Sequence, residues 1–212
     1  MAESPRHGTW SLTLIAATSV ALLFGGLAIG VALGGMLPLP YGSVAAVQHY
    51  VLSQSSALRV IAVTTFAASV PLAVYAAIAS ARLRQPVAAI ALAGGILAAG
   101  ALGLTGLVGW TLSRTEITGD TPLVRSLYLM AFLIGGPAHI VALGVLIAGI
   151  AAGGVLARPL TRVGVAIAVL CESAALVLAW PMLGPVLPVA RVAALTWLVV
   201  AGARLDRANA LV

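Results

Sequence analysis

Charge is nearly missing from this sequence, and that absence restricts the fold more than any motif does. Of 212 residues, 8% are Asp, Glu, Lys or Arg and 62% are hydrophobic. A water-soluble domain carries ~25% charged and ~45–50% apolar residues. So few charges cannot coat a globule of this size in water. The composition therefore argues against a soluble enzyme, a disordered tail or a nucleic-acid-binding domain, and for an integral membrane protein.

Crossing a bilayer as a helix takes ~20 mostly apolar residues. Six runs qualify, at about 12–36, 57–81, 86–112, 123–156, 160–182 and 187–203, forming a single membrane domain over 1–212. The runs are continuous and do not alternate, so helices are expected and barrel strands are not. A helix also satisfies its own backbone polar groups in lipid. The expected fold class is an all-α polytopic bundle. The first run is longer than the ~7–15 residues of a signal-peptide core and is read as a retained helix. The fourth contains Gly135-Gly136-Pro137, where a kink or tilt is expected.

All eleven basic residues are arginine, and the net charge is +6. The arginines stand singly or in pairs at the ends of apolar runs, as membrane-flanking charges do, with no stripe to hold a nucleic acid. With the N-terminus inside, Arg6, Arg82, Arg84, Arg158, Arg162, Arg204 and Arg207 lie on the cytoplasmic side. Arg59, Arg114, Arg125 and Arg191 then lie outside, so the count favours N-in, C-in. Trp10 fits the inner interface, and Tyr41, Tyr50, Trp110, Tyr128 and Trp180 the outer one. Arginine to the exclusion of lysine, with abundant Ala, Gly, Val and Leu, points to a high-GC bacterium and hence to its inner membrane. In the outer segment 37–56, Ser43 is placed to cap a short interfacial helix over VAAVQHYVLSQ.

A period of 66 residues links three of the runs. Arg59, Phe66 and Pro71 recur as Arg125, Phe132 and Pro137, and Arg191 is the next arginine in register. Two explanations stand. A two-helix hairpin takes about this length, and an arginine at each helix start snorkels to the headgroups. Alternatively, a duplicated hairpin places Arg59, Arg125 and Arg191 around an outward-facing vestibule for anions or acidic groups, with Glu116 and Asp120 nearest to neutralise them.

The stretches ALRVIAVTTFAASVPLAVYAAIASARLR (57–84) and VRSLYLMAFLIGGPAH (124–139) resemble an uncharacterised family of small six-helix membrane proteins of actinomycete-like bacteria. The likeness extends over most of 41–203. It implies a polytopic fold and carries no activity, cofactor or catalytic residue.

Among residues able to do chemistry, Glu172 is the sharpest signal, midway along the fifth run. A carboxylate at the bilayer centre costs at least ~2.5 kcal/mol, so it is expected to face the bundle. His139 lies at similar counted depth and is a candidate partner, as is Arg191 reaching down from the outer rim. One reading of Glu172, His139 and Arg191 is proton or cation handling; the other is helix-to-helix hydrogen bonding. His7 and His49 fall at opposite faces, so no metal or haem cluster forms. Gly-x-Ser-x-Gly and His-Glu-x-x-His do not occur. Neither cofactor nor metal nor catalytic residue is expected. Small-residue ridges at Gly26/Gly30/Gly34, Gly103/Gly106/Gly109 and Gly149/Gly153 suit close helix packing, or a seam between copies. Cys171 reads as a small buried apolar residue.

The sequence thus favours a multi-pass inner-membrane protein without catalysis of its own, acting in interaction, regulation or membrane maintenance. Its partners would be the lipid bilayer, an anionic lipid or a small anion. The alternative is a small-solute, anion or proton-coupled transporter.

Overall fold

The computed structural model describes residues 11–209; Arg6, His7 and Trp10 of the inner-side assignment lie outside them. Six helical spans are present and, among the described residues, no strand. The chain is an all-α, six-span membrane bundle.

The first span is α1 (Leu12–Gly34), opened by Ser11, whose Oγ accepts from the Leu14 N–H at 3.4 Å. It ends at Gly35, where φ is +75° and only glycine is unstrained. A short helix α2 (Val44–Ser53) follows, then α3 (Ser55–Ala81) and α4 (Val87–Leu112). Ser43 occupies the expected cap position of α2, but its side chain makes no capping hydrogen bond. The fourth span is composite: α5 (Thr121–Leu133), a π-helical turn (Ile134–Ala138) and α6 (His139–Ala152). Gly135-Gly136-Pro137, where the sequence predicts a kink or tilt, lie in this π turn. Pro137 has no N–H to give, and the wider turn accommodates the missing bond. The fifth span begins as α7 (Arg158–Glu172) and tightens into a 3₁₀ segment (Ser173–Leu178), ending four residues short of the expected 182. The last, α8 (Val186–Asn209), runs past the expected 203.

The spans pack in the order α1, α3, α4, α5–α6, α7, α8 and back to α1, so the ring closes, and α6 and α8 also meet across it. Glycine makes the close approaches. A Cβ on Gly106 would stand 2.6 Å from the Phe66 nitrogen and 2.8 Å from the Ala62 oxygen, both backbone atoms of α3. Gly26 and Gly30 face Thr64 and Ile61 of α3, Gly34 faces Ala57, and Gly149 faces Ala91 of α4. All three glycine ridges are thus consumed by packing within the chain. This is the close helix packing expected of them.

Apolar side chains occupy both faces of the ring. Tyr75, Leu72, Leu143, Leu146 and Ile147 are fully enclosed. Leu14, Ile29, Val63, Leu97, Leu104 and Val169 point outward and are more than half exposed. An outer apolar surface of this extent suits lipid and not water. At one end, α2 and the segment before it fold over the bundle. Val47, Tyr50 and Val51 pack on Leu58, Leu112 and Val124, while Tyr128 Oη donates to the Pro38 carbonyl at 2.7 Å.

Because the atoms facing Gly106 are main chain, they cannot swing aside. Gly106→Ala is expected to destabilise the protein by about 1–3 kcal/mol. Gly100→Ala, where nothing lies within 4 Å, should be neutral. Thermal unfolding of the two variants in one detergent checks the contrast.

Candidate functional site

Glu172 does not face the bundle. The buried residues of α7 are Gly164, Ala168 and Cys171, spaced i, i+4, i+7. Val165 and Val169 are exposed on the adjoining stripe, and Glu172 continues that stripe. Its side chain bends back over the α6–α7 seam, where the missing Cβ of Gly144 makes room; a Cβ there would stand 2.8 Å from Oε1. It has neither an ion-pair nor a hydrogen-bond partner among the described residues. The expected inward carboxylate is corrected on this point: small residues, not the charge, decide which face of α7 is buried.

His139 begins α6 and is fully enclosed. Its Nδ1 lies 2.9 Å from the Ala98 carbonyl of α4, which makes Nδ1 the protonated nitrogen, and Nε2 has no protein partner. Glu172 lies beside Gly144, more than a turn further along α6, and the expected His139–Glu172 pair is not formed.

Nor do the three arginines converge. Arg59 is exposed on α3. Arg125 is partly buried in α5, with Nη1 enclosed and without a protein partner. The two acids assigned to the vestibule are engaged locally. Glu116 pairs with Arg114 at 2.9 Å, and Asp120 caps α5 by accepting from the Leu123 N–H at 3.0 Å. The Glu116 backbone N–H and the Arg114 guanidinium hold the Glu116 carboxyl below the ordinary carboxylate range. The residues matched at period 66 also have unmatched roles. Phe66 lies against Gly106 of α4, whereas Phe132 meets Tyr41 edge-on at 5.5 Å.

Arg191 alone turns inward. From the second turn of α8 it crosses to the π turn, where Nη2 donates to the Gly135 carbonyl. Nε is enclosed and without a protein partner. The ion pairs among the described residues are Arg82–Asp206 and Arg114–Glu116, so Arg191 has no carboxylate beside it.

This arginine lines a hollow. One cavity of about 310 Å³ is bounded by α1 at Leu23 and Leu27, by Gly135 and Gly136 of the π turn, and by Leu187 and Arg191 of α8. A second, of about 320 Å³, lies under residues 37–40 between Leu58, Leu112 and Tyr128. The two share Leu37, Ile61, Thr65, Thr105, Ala131 and Phe132 as walls, so they adjoin, and the pair is termed the chamber, each hollow one arm of it. The second arm is almost wholly apolar.

The opposite end of the ring holds a polar cluster that the sequence does not announce. Asp206 of α8 accepts from Leu12 N–H and Thr13 N–H at 3.1 Å each, and from the Ser11 and Thr13 hydroxyls at 2.9 Å each. Arg82, following α3, lies 3.4 Å from Oδ1. One carboxylate thus caps the α1 N-terminus, where the helix dipole favours an anion, and ties three spans together. The available signal was an acid between Arg204 and Arg207, opposite a Ser-Leu-Thr helix start.

The fold defines the chain as a multi-pass membrane protein. Comparison with family models, with curated proteins and with solved structures gives no match.

Two substitutions separate structural from working polar groups. Asp206→Ala is expected to cost about 2–3 kcal/mol, since it removes a cap and leaves Arg82 without its partner. His139→Met removes one hydrogen bond and one enclosed unpartnered nitrogen together, so stability should change by less than about 1.5 kcal/mol. Denaturant titration of the detergent-solubilised variants measures both.

Proposed function

We propose that this is a non-enzymatic protein of a bacterial inner membrane, with both termini in the cytoplasm. It works by binding a membrane-soluble ligand in the chamber that ends at Arg191, in a role of interaction, regulation or membrane maintenance. The observation that carries this reading is the separation of the polar groups. A proton-coupled carrier would need Glu172 and His139 within reach of each other and of a wet path. Instead, the carboxylate lies on the outer surface of α7 and the imidazole is enclosed against α4. A hydrolytic or transfer site needs several convergent polar groups, and the chamber offers one arginine, two threonines and the Tyr128 hydroxyl, which already donates to the Pro38 carbonyl. The resemblance to six-helix actinomycete-like proteins is in keeping with this reading. The arginine bias supports the orientation, and with it a chamber toward the outer leaflet.

Two measurements test the proposal. Single cysteines at Glu116 and Arg84 are labelled in intact cells with a membrane-impermeant maleimide. Glu116→Cys should react, and Arg84→Cys only after permeabilisation; the reverse pattern overturns the orientation. In proteoliposomes, pH-dependent uptake of protons, chloride or phosphate should match that of empty vesicles. Flux that disappears in Glu172→Gln would establish the carrier and remove the binding role.

A further inference from the structure

A binding role leaves the ligand open, and the chamber restricts it; the choice of ligand rests on the chamber being a binding site. Three observations bear on the occupant. The first is an excess charge. A guanidinium inside a bundle costs several kcal/mol unless it is paired and its donors are used. Arg191 has one carbonyl, an unpartnered Nε and no carboxylate among the described residues. The second is shape. The Arg191 arm adjoins an apolar arm walled by Leu58, Leu112 and Phe132 and roofed by residues 37–40. The third is size. At about 310 and 320 Å³ the two arms together fall within the ~300–1,000 Å³ of small-ligand sites. That admits one chain and not the two of a bilayer phospholipid.

We propose that the chamber binds an acidic lipophile: a single-chain carboxylate taken up head-first, its anion on Arg191 and its chain in the apolar arm under residues 37–40. A carboxylate suits the guanidinium because two parallel N–H donors match its two oxygens. The Gly135 carbonyl holds Nη2 in place, leaving other donors of the fork for the ligand. An uncharged alcohol of the same length leaves the cation unpaired. A short carboxylate leaves the apolar arm empty. Both should therefore bind less well than the complete amphiphile.

The test uses the full chain in nanodiscs of zwitterionic phosphatidylcholine, with tritiated dodecanoate as probe and empty nanodiscs as background. Binding is expected in the wild type, weakened roughly tenfold or more by Arg191→Gln and unchanged by Arg59→Gln. Ala131→Trp, which fills the junction of the arms and leaves the arginine intact, should also abolish it. This variant keeps the proposal testable if Arg191→Gln does not fold. Unlabelled dodecanoate should compete, and dodecanol and acetate should not at the same concentration. Dodecanoate retention at background, or retention insensitive to both chamber variants, overturns the proposal. Competition by acetate or inorganic phosphate as strong as by dodecanoate identifies a small-anion site and overturns the amphiphile. Displacement by phosphatidylglycerol added to the nanodisc shows that the anion comes from a bilayer lipid and overturns the single-chain ligand. These outcomes are independent of the flux assay, so loss of this ligand and loss of the binding role are read separately.

Discussion

Hydrocarbon supplies no hydrogen bonds, so a chain embedded in it must find every polar partner inside itself. The organisation of this bundle follows from that constraint. The helices carry their own ladders, and glycines bring backbones together where larger side chains would hold them apart. Many hydroxyl groups within the spans return to carbonyls, as Ser19 does to Ala68 at 2.8 Å and Tyr75 to Leu198 at 2.8 Å, while the Ser80 Oγ is buried without a partner. Those two bonds fasten α3 to α1 on one side and to α8 on the other.

The two ends of the ring meet the constraint differently. At one end Asp206 satisfies the start of α1, two hydroxyls and Arg82 at once, and the ring closes on a saturated cluster. At the other end Arg191 reaches into a hollow and finds one carbonyl. The first end is built for stability. The second leaves a guanidinium with donors to spare, and under the proposed function a ligand completes it. Holding an anion in a low-dielectric chamber, as proposed, needs one strong partner and an apolar wall.

Much of this fold was legible because the lipid constraint acts directly on sequence. Continuous apolar runs mark six spans, Gly135-Gly136-Pro137 mark an irregularity in the fourth whose π form they do not specify, and Ser43 marks the start of α2. The candidate site was less legible. Glu172 was expected inward because burial of charge in lipid is costly, yet the spacing of Gly164, Ala168 and Cys171 already placed it on the opposite stripe with Val165 and Val169. Local packing of small residues overruled the single charge. Asp206 was hidden among arginines that read as topology signals. Its role depends on the far end of the chain, and no local pattern carries a contact across that distance. Arg59, Arg125 and Arg191 look alike in sequence. Only Arg191 faces the π turn, and that difference arises from the packing of α8 against the rest of the ring.

The central claim is that the Arg191 guanidinium lies inside the bundle against the π turn and not among acyl chains. Magic-angle-spinning NMR of the ¹³C,¹⁵N-labelled protein in liposomes measures this directly. A through-space correlation between the Arg191 Nη nitrogen and the Gly135 carbonyl carbon is expected, undiminished when a spin label on the lipid chains broadens Arg59. Absence of that correlation, with Arg191 broadened as strongly as Arg59, would contradict it.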